Sequence, residues 1–84
     1  MYTLSYSKQA QKTLRRLPRN TARLIQTKLI ELAADPQGMR NVKKLTDHPG
    51  YRLRVGDWRV VYTLHDDALA IHVIHIDVRG SIYK

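Results

Sequence analysis

Residues 50 to 62 read Gly-Tyr-Arg-Leu-Arg-Val-Gly-Asp-Trp-Arg-Val-Val-Tyr, and the three arginines in this stretch have the spacing to hold a phosphate. Side chains alternate along a strand, so Arg52 and Arg54 share one face while Tyr51, Leu53 and Val55 share the other. Gly56-Asp57 is a turn signal, and Arg59 falls in the strand that follows. Guanidinium is permanently charged, and its planar fork matches phosphate. If the last strand runs without a bulge, His75, Asp77 and Arg79 also share a face, with Ile74, Ile76 and Val78 opposite. Four arginines on three consecutive strands then converge on one concave polar surface, suited to a polyanion.

The chemistry open to such a surface is narrow. No serine or cysteine nucleophile motif is present, and Asp66-Asp67 reads as a turn rather than a carboxylate pair. Arginine, histidine and tyrosine around a phosphate suit RNA cleavage, where the ribose 2′-OH is the substrate's own nucleophile. The protein aligns that hydroxyl, stabilises a pentacovalent phosphorane and assists proton transfer. Aromatic rings beside the arginines can stack a splayed base. A second set of cations, Lys8, Lys12, Arg15, Arg16, Arg19 and Arg23, follows the first helix and the turn after it, with no acidic residue between Met1 and Ile30. With Lys43 and Lys44 they read as contacts that position a phosphate backbone rather than cut it.

Composition supports this reading. The 84 residues make one domain, 1–84, with a formal charge of +8. That excess points to nucleic acid, an acidic protein segment or an anionic surface. Neither an apolar run long enough to span a bilayer nor a secretory signal is present, and the basic helices lack the bulky aromatics of membrane-surface anchors, so no membrane partner is expected. Cysteine is absent, which removes thiol chemistry and cysteine-ligated zinc and fits a reducing cytosol. The four histidines, His48, His65, His72 and His75, form no metal-ligand motif. His72 and His75, three apart on a strand, are expected on opposite faces.

The elements that carry these residues follow from periodicity. Met1 to Tyr6 reads as a strand. Ser7 caps a helix starting at Lys8, with Ala10, Leu14 and Leu17 on its apolar face and Pro18 ending it. Asn20 or Thr21 caps a second helix running to about Ala34, with Ala22, Ile25, Leu29, Leu32 and Ala33 inward. Leu24 and Ile30 fall off that stripe and are candidate partner contacts. Asp35-Pro36-Gln37-Gly38 is a stop, and Met39 to Gly50 is polar and irregular. Three strands follow, about Tyr51 to Val55, Trp58 to Leu64 and Leu69 to Val78; the last is rich in Ile and Val and is expected inside the sheet. The expected fold is α+β in the order β-α-α-β-β-β. Two N-terminal helices pack on one face of a small, mainly antiparallel twisted sheet, and the other face is left to the arginines.

The chain resembles the RelE/ParE toxin superfamily of bacterial and archaeal type II toxin–antitoxin modules. The resemblance spans nearly the whole length. It includes the strand-helix-helix opening, Lys43-Lys44-Leu45 before the Pro49-Gly50-Tyr51-Arg52 turn, the run from Tyr51 to Tyr62, and the ending Asp77-Val78-Arg79-Gly80-Ser81-Ile82-Tyr83. It is closer to the RelE branch, which cleaves messenger RNA in the ribosomal A site, than to the ParE branch, which targets DNA gyrase.

The resemblance implies a cytoplasmic, metal-independent endoribonuclease without cofactor. Its implied partners are the ribosome, messenger RNA and a cognate antitoxin, with operator DNA reached only through the antitoxin complex. The RNA-acting positions of the RelE branch fall on Arg52, Arg54, Arg59, Arg79 and Tyr83. The first two are lysine in the best-known member, and arginine is a poorer proton acceptor. The base is then His75, Tyr83 as tyrosinate, or no dedicated group. Lys8, Lys12, Arg15, Arg16, Arg19, Arg23, Lys43 and Lys44, read from their one-sided charge and not from the resemblance, are the expected RNA and ribosome contacts. A gyrase inhibitor without nuclease activity and a plain nucleic-acid-binding module are the alternatives.

Overall fold

Turn and capping residues set most element boundaries. The computed structural model describes residues 1–78. Its elements are β1 (Thr3–Tyr6), α1 (Lys8–Arg16), α2 (Arg19–Ala34), β2 (Val42–Lys44), β3 (Tyr51–Val55), β4 (Trp58–His65) and β5 (Ala70–Val78). The sheet has five strands in the order β1-β5-β4-β3-β2. β1 runs parallel to β5, and every other pairing is antiparallel. The α+β architecture and the interior position of the Ile/Val-rich last strand are as expected.

The core lies between the helices and one sheet face. Ala10, Ile25, Leu29, Leu32 and Ala33 from the helices meet Leu53, Val55, Val60, Tyr62, Ile71, Val73 and Ile76 from the sheet. Leu24 and Ile30 stay outside it, 48% and 53% exposed. Gly56 takes a φ of +58° between paired Val55 and Trp58, the conformation a two-residue hairpin loop requires at that position.

Local differences from the sequence reading have physical causes. α2 begins at Arg19 behind Pro18, with no side-chain cap, instead of behind Asn20 or Thr21. Proline's fixed φ and missing N–H suit a helix entrance, so the residue that ends α1 also opens α2. The segment from Met39 to Gly50 contains a short edge strand, β2, whose apolar content is a single valine. Too few residues alternate there for periodicity to reveal it.

The last difference changes which residues share a face. The β4–β5 register passes from Val61 opposite His75 to Tyr62 opposite Val73, so Ile74 is an extra residue in β5. This bulge shifts the alternation by one place. Ile71 and Val73 before it and Ile76 after it all reach the core, and His72 and His75 therefore lie on the same face. Ile74 itself is only partly buried, and Val78 is 39% exposed.

α1 holds this irregularity in place. The Ser7 hydroxyl accepts from the Ala10 amide at 3.1 Å as a helix cap and donates to the Ile74 carbonyl. The Gln9 amide donates to the Ile76 carbonyl and accepts from the Ile76 N–H, both at 3.1 Å. β1 stops pairing at Val73, so Gln9 supplies to Ile76 the bonds a neighbouring strand would have made.

Candidate functional site

The sheet face away from the helices carries the charged residues in cross-strand rows. Lys43 lies opposite Arg52, Arg52 opposite Val61, and Val61 opposite His75. In the next row Arg54 lies directly opposite Arg59, which is flanked on its other side by Asp77. Like charges directly across a ladder destabilise a sheet. The Arg54–Arg59 pairing concentrates positive charge that Asp77, opposite Arg59 on its other side, offsets in part, and such a row attracts an anion. His75 Nε2 is 3.3 Å from Asp77 Oδ2, and Asp77 Oδ1 accepts from the Val78 N–H at 2.7 Å. Both side chains of this hydrogen-bonded pair remain partly open to solvent.

The other half of the same face carries hydroxyls and imidazoles. Ser5 pairs with His72 across β1 and β5, and Thr63 pairs with His72 across β4 and β5. Ser5 Oγ is 2.8 Å from His72 Nδ1, and Thr63 Oγ1 is 3.0 Å from His65 Nε2. Among the described residues no group of three or more His, Asp or Glu side chains is placed to hold a metal ion, and no helix is long and apolar enough to cross a membrane.

The structure thus brings Arg52, Arg54, Arg59 and His75 together, as the sequence suggested, and adds Lys43 to them. It separates Lys44, which lies opposite Tyr51 on the helix side of the sheet. Lys8, Lys12, Arg15, Arg16, Arg19 and Arg23 are all exposed, but they belong to the helix layer and not to the arginine face. Arg79 and Tyr83 lie outside the described residues. Ser7 and Gln9 were legible only as a cap and a polar helix residue. Their role in placing His75 and Asp77 depends on a bulge that periodicity does not show.

Residues 4–83 match the family model described as the ParE toxin of type II toxin–antitoxin systems, parDE. A search of curated proteins gave no match. The fold is similar to that of the toxin in the intact Escherichia coli RelBE toxin–antitoxin complex, with a TM-score of 0.78 and 28% identity over 93% of this chain and 96% of that one. It is similar also to a chain of the archaeal RelE–RelB complex from Pyrococcus horikoshii, with a TM-score of 0.82 and 28% identity over 94% and 96%. A chain of the Mycobacterium tuberculosis RelBE2 complex shares the fold at 22% identity, with a TM-score of 0.80 over 93% and 98%.

Proposed function

This chain belongs to the ParE toxin family of type II toxin–antitoxin systems, within the RelE/ParE superfamily, and from that premise we propose that it is a ribosome-dependent endoribonuclease neutralised by a cognate antitoxin. The observation that carries this reading is the opposed Arg54–Arg59 pair on the open face, with His75 one row away. The solved relatives at 28% identity, RelE toxins crystallised with RelB antitoxins, support both the branch and the partner.

In the reaction, the 2′-oxygen of the substrate forms a bond to phosphorus as the bond to the 5′-oxygen breaks. The products are a 2′,3′-cyclic phosphate and a free 5′-hydroxyl, and the substrate's own nucleophile makes a metal-activated water unnecessary. Arg54 and Arg59 offset the charge that builds on the phosphorane, and Arg52 with Lys43 holds the flanking backbone. Arg79 and Tyr83 join them if the family pattern holds. When the His75 Nε2–H points at Asp77, Nδ1 is left as the nitrogen that accepts the 2′ proton. The 5′-oxygen takes its proton from solvent as it leaves, and His75 returns the proton it accepted to solvent.

The matching family model carries the name of the gyrase-directed branch, and this favours a second reading: inhibition of DNA gyrase without cleavage. One experiment separates the two. Purified protein is incubated with messenger-programmed ribosomes, with naked RNA and with supercoiling gyrase. Cuts in the A-site codon that end in cyclic phosphate support the nuclease. Loss of supercoiling with intact messenger RNA overturns it. Single-turnover cleavage against pH in His75→Gln and in Tyr83→Phe then identifies the proton acceptor. A rise through the histidine range that disappears in His75→Gln identifies His75, and an unchanged profile removes it.

A further inference from the structure

Arg54 faces two ways. It stands in the row with Arg59, and it also lines a cleft at the end of the sheet, of about 290 Å³, between α2, the loop before β2, and β3. Lys28 and Glu31 of α2 and Arg40 and Asn41 of the loop form the rest of its polar lining. We infer that this cleft is a second phosphate-binding site, which holds an RNA phosphodiester adjacent to the one being cut. The inference rests on the nuclease reading.

Charge and size fit that ligand. The lining has three cations against one carboxylate. Lys28 Nζ and Glu31 Oε1 are 3.6 Å apart, and their side chains are 39% and 50% exposed. A pair that open is worth little, so Lys28 can turn to a phosphate at small cost. The volume is at the lower bound of small-molecule pockets, the scale of a sugar-phosphate unit.

Position fits as well. The Arg54 N–H donates to the Asn41 carbonyl at 2.9 Å, which fastens the loop to β3 and keeps the mouth of the cleft beside Arg54. Arg54 and Arg59 are one strand spacing apart, about 5 Å. A strand of RNA with its reacting phosphate at Arg59 therefore passes Arg54 and enters the cleft. Lys28 and Arg40 belong to no part of the core, so their charge is available to a ligand.

The test pairs neutral phosphates with neutral side chains. Ribosomes are programmed with messengers carrying a single methylphosphonate at successive positions either side of the cut. Single-turnover cleavage is followed as a function of toxin concentration for wild type and for Lys28→Gln/Arg40→Gln. At the phosphate next to the cut on one side, the methylphosphonate should weaken wild-type half-saturation by about fivefold, the upper end for an exposed ion pair. The double variant should show that loss already with normal messenger and lose nothing further at that position. Lys28→Arg/Arg40→Lys should behave as wild type. Strict additivity at every position, with wild type still cutting, overturns the cleft and leaves the nuclease reading standing. Loss of affinity for an acidic antitoxin with unchanged cleavage makes the cleft a protein site and also overturns the inference. No cleavage by wild type on any messenger overturns both readings.

Discussion

Leu53 and the arginines on either side of it occupy one strand, yet they serve surfaces with opposite demands. On the helix side Leu53 is fully buried beside Val60, and the neighbouring positions are apolar and close-packed. On the open side Arg52 and Arg54 join Lys43 and Arg59, where positive charge is concentrated and only Asp77 opposes it within the Arg54–Arg59 row. Stability thus resides on one side of the sheet and the concentrated positive charge on the other, and residues of adjacent number fall on different sides. The parity rule that sorts them reverses once, at Ile74 in β5, where Ser7 and Gln9 hold the bulge.

The largest effects should come from one substitution on each face. Leu53→Ala should cost about 2–5 kcal/mol of stability, the range for emptying a buried leucine site. Arg59→Ala should leave the melting temperature within a few degrees of wild type. It should lower single-turnover cleavage by roughly a hundredfold or more, about 3 kcal/mol of transition-state stabilisation. Thermal melts and cleavage rates on the same two proteins check both. If Arg59→Ala unfolds the chain, or Leu53→Ala folds normally and does not cut, the division between the faces fails.

The division was legible in β3 and β4 because both strands alternate without interruption, so the faces of Arg52, Arg54 and Arg59 followed from parity. β5 was readable only up to its bulge. Ile and Val fill it on both sides, and an extra residue in an apolar run leaves no mark on the pattern. His72 and His75 were consequently expected on opposite faces and share one. Lys43 and Lys44 were read alike, as phosphate-positioning contacts, because nothing in Val-Lys-Lys announces a strand, and β2 then placed them on opposite sides. The cleft beside Arg54 joins residues from α2, a loop and β3, a meeting that only the tertiary fold creates.

Next in size is an alkaline effect confined to the covered face. Burial, with a smaller contribution from Tyr51, raises the Tyr62 pKa from 10 to about 12. The two rings are stacked with centroids 5.6 Å apart. Below pH 10 the phenol is neutral in folded and unfolded chains alike, and it contributes no pH dependence. Above pH 10 the unfolded chain releases this proton while the folded chain keeps it, so stability falls as pH rises from 10 towards about 12. Tyr6, raised by burial, adds a slope of the same sign. Urea titrations across this range should show the decline in wild type and a shallower one in Tyr62→Phe. An identical slope in the variant would mean that Tyr62 is not shielded as its packing implies.

Gln9→Ala should come third. It leaves the N–H and carbonyl of Ile76 without their side-chain partner, at a cost of about 1–3 kcal/mol. Its effect should reach both faces, because the bulge places Ile76 under the helices and His75 and Asp77 on the open side. Hydrogen exchange at the Ile76 amide should accelerate, and cleavage should fall more than the loss of stability alone explains. Unchanged exchange at Ile76 would show that the bulge holds without α1.

The smallest effect gives the finest comparison. Lys43 and Lys44 are adjacent, exposed and alike in charge, so only the face separates them. Lys43 lies opposite Arg52 on the open face, and Lys44 opposite Tyr51 on the other. A phosphate contact made by one lysine adds about 0.7 to the salt slope of binding to a single strand. Lys43→Ala should lower the slope for messenger-programmed ribosomes by about that amount, and Lys44→Ala should leave it nearly unchanged. Neither should alter the rate at saturation, since both lie outside the Arg54–Arg59 row. Equal losses in the two variants would mean that the protein is held by a diffuse positive field, to which face is irrelevant. A loss confined to Lys43→Ala would show that RNA lies along the open face as far as the edge strand.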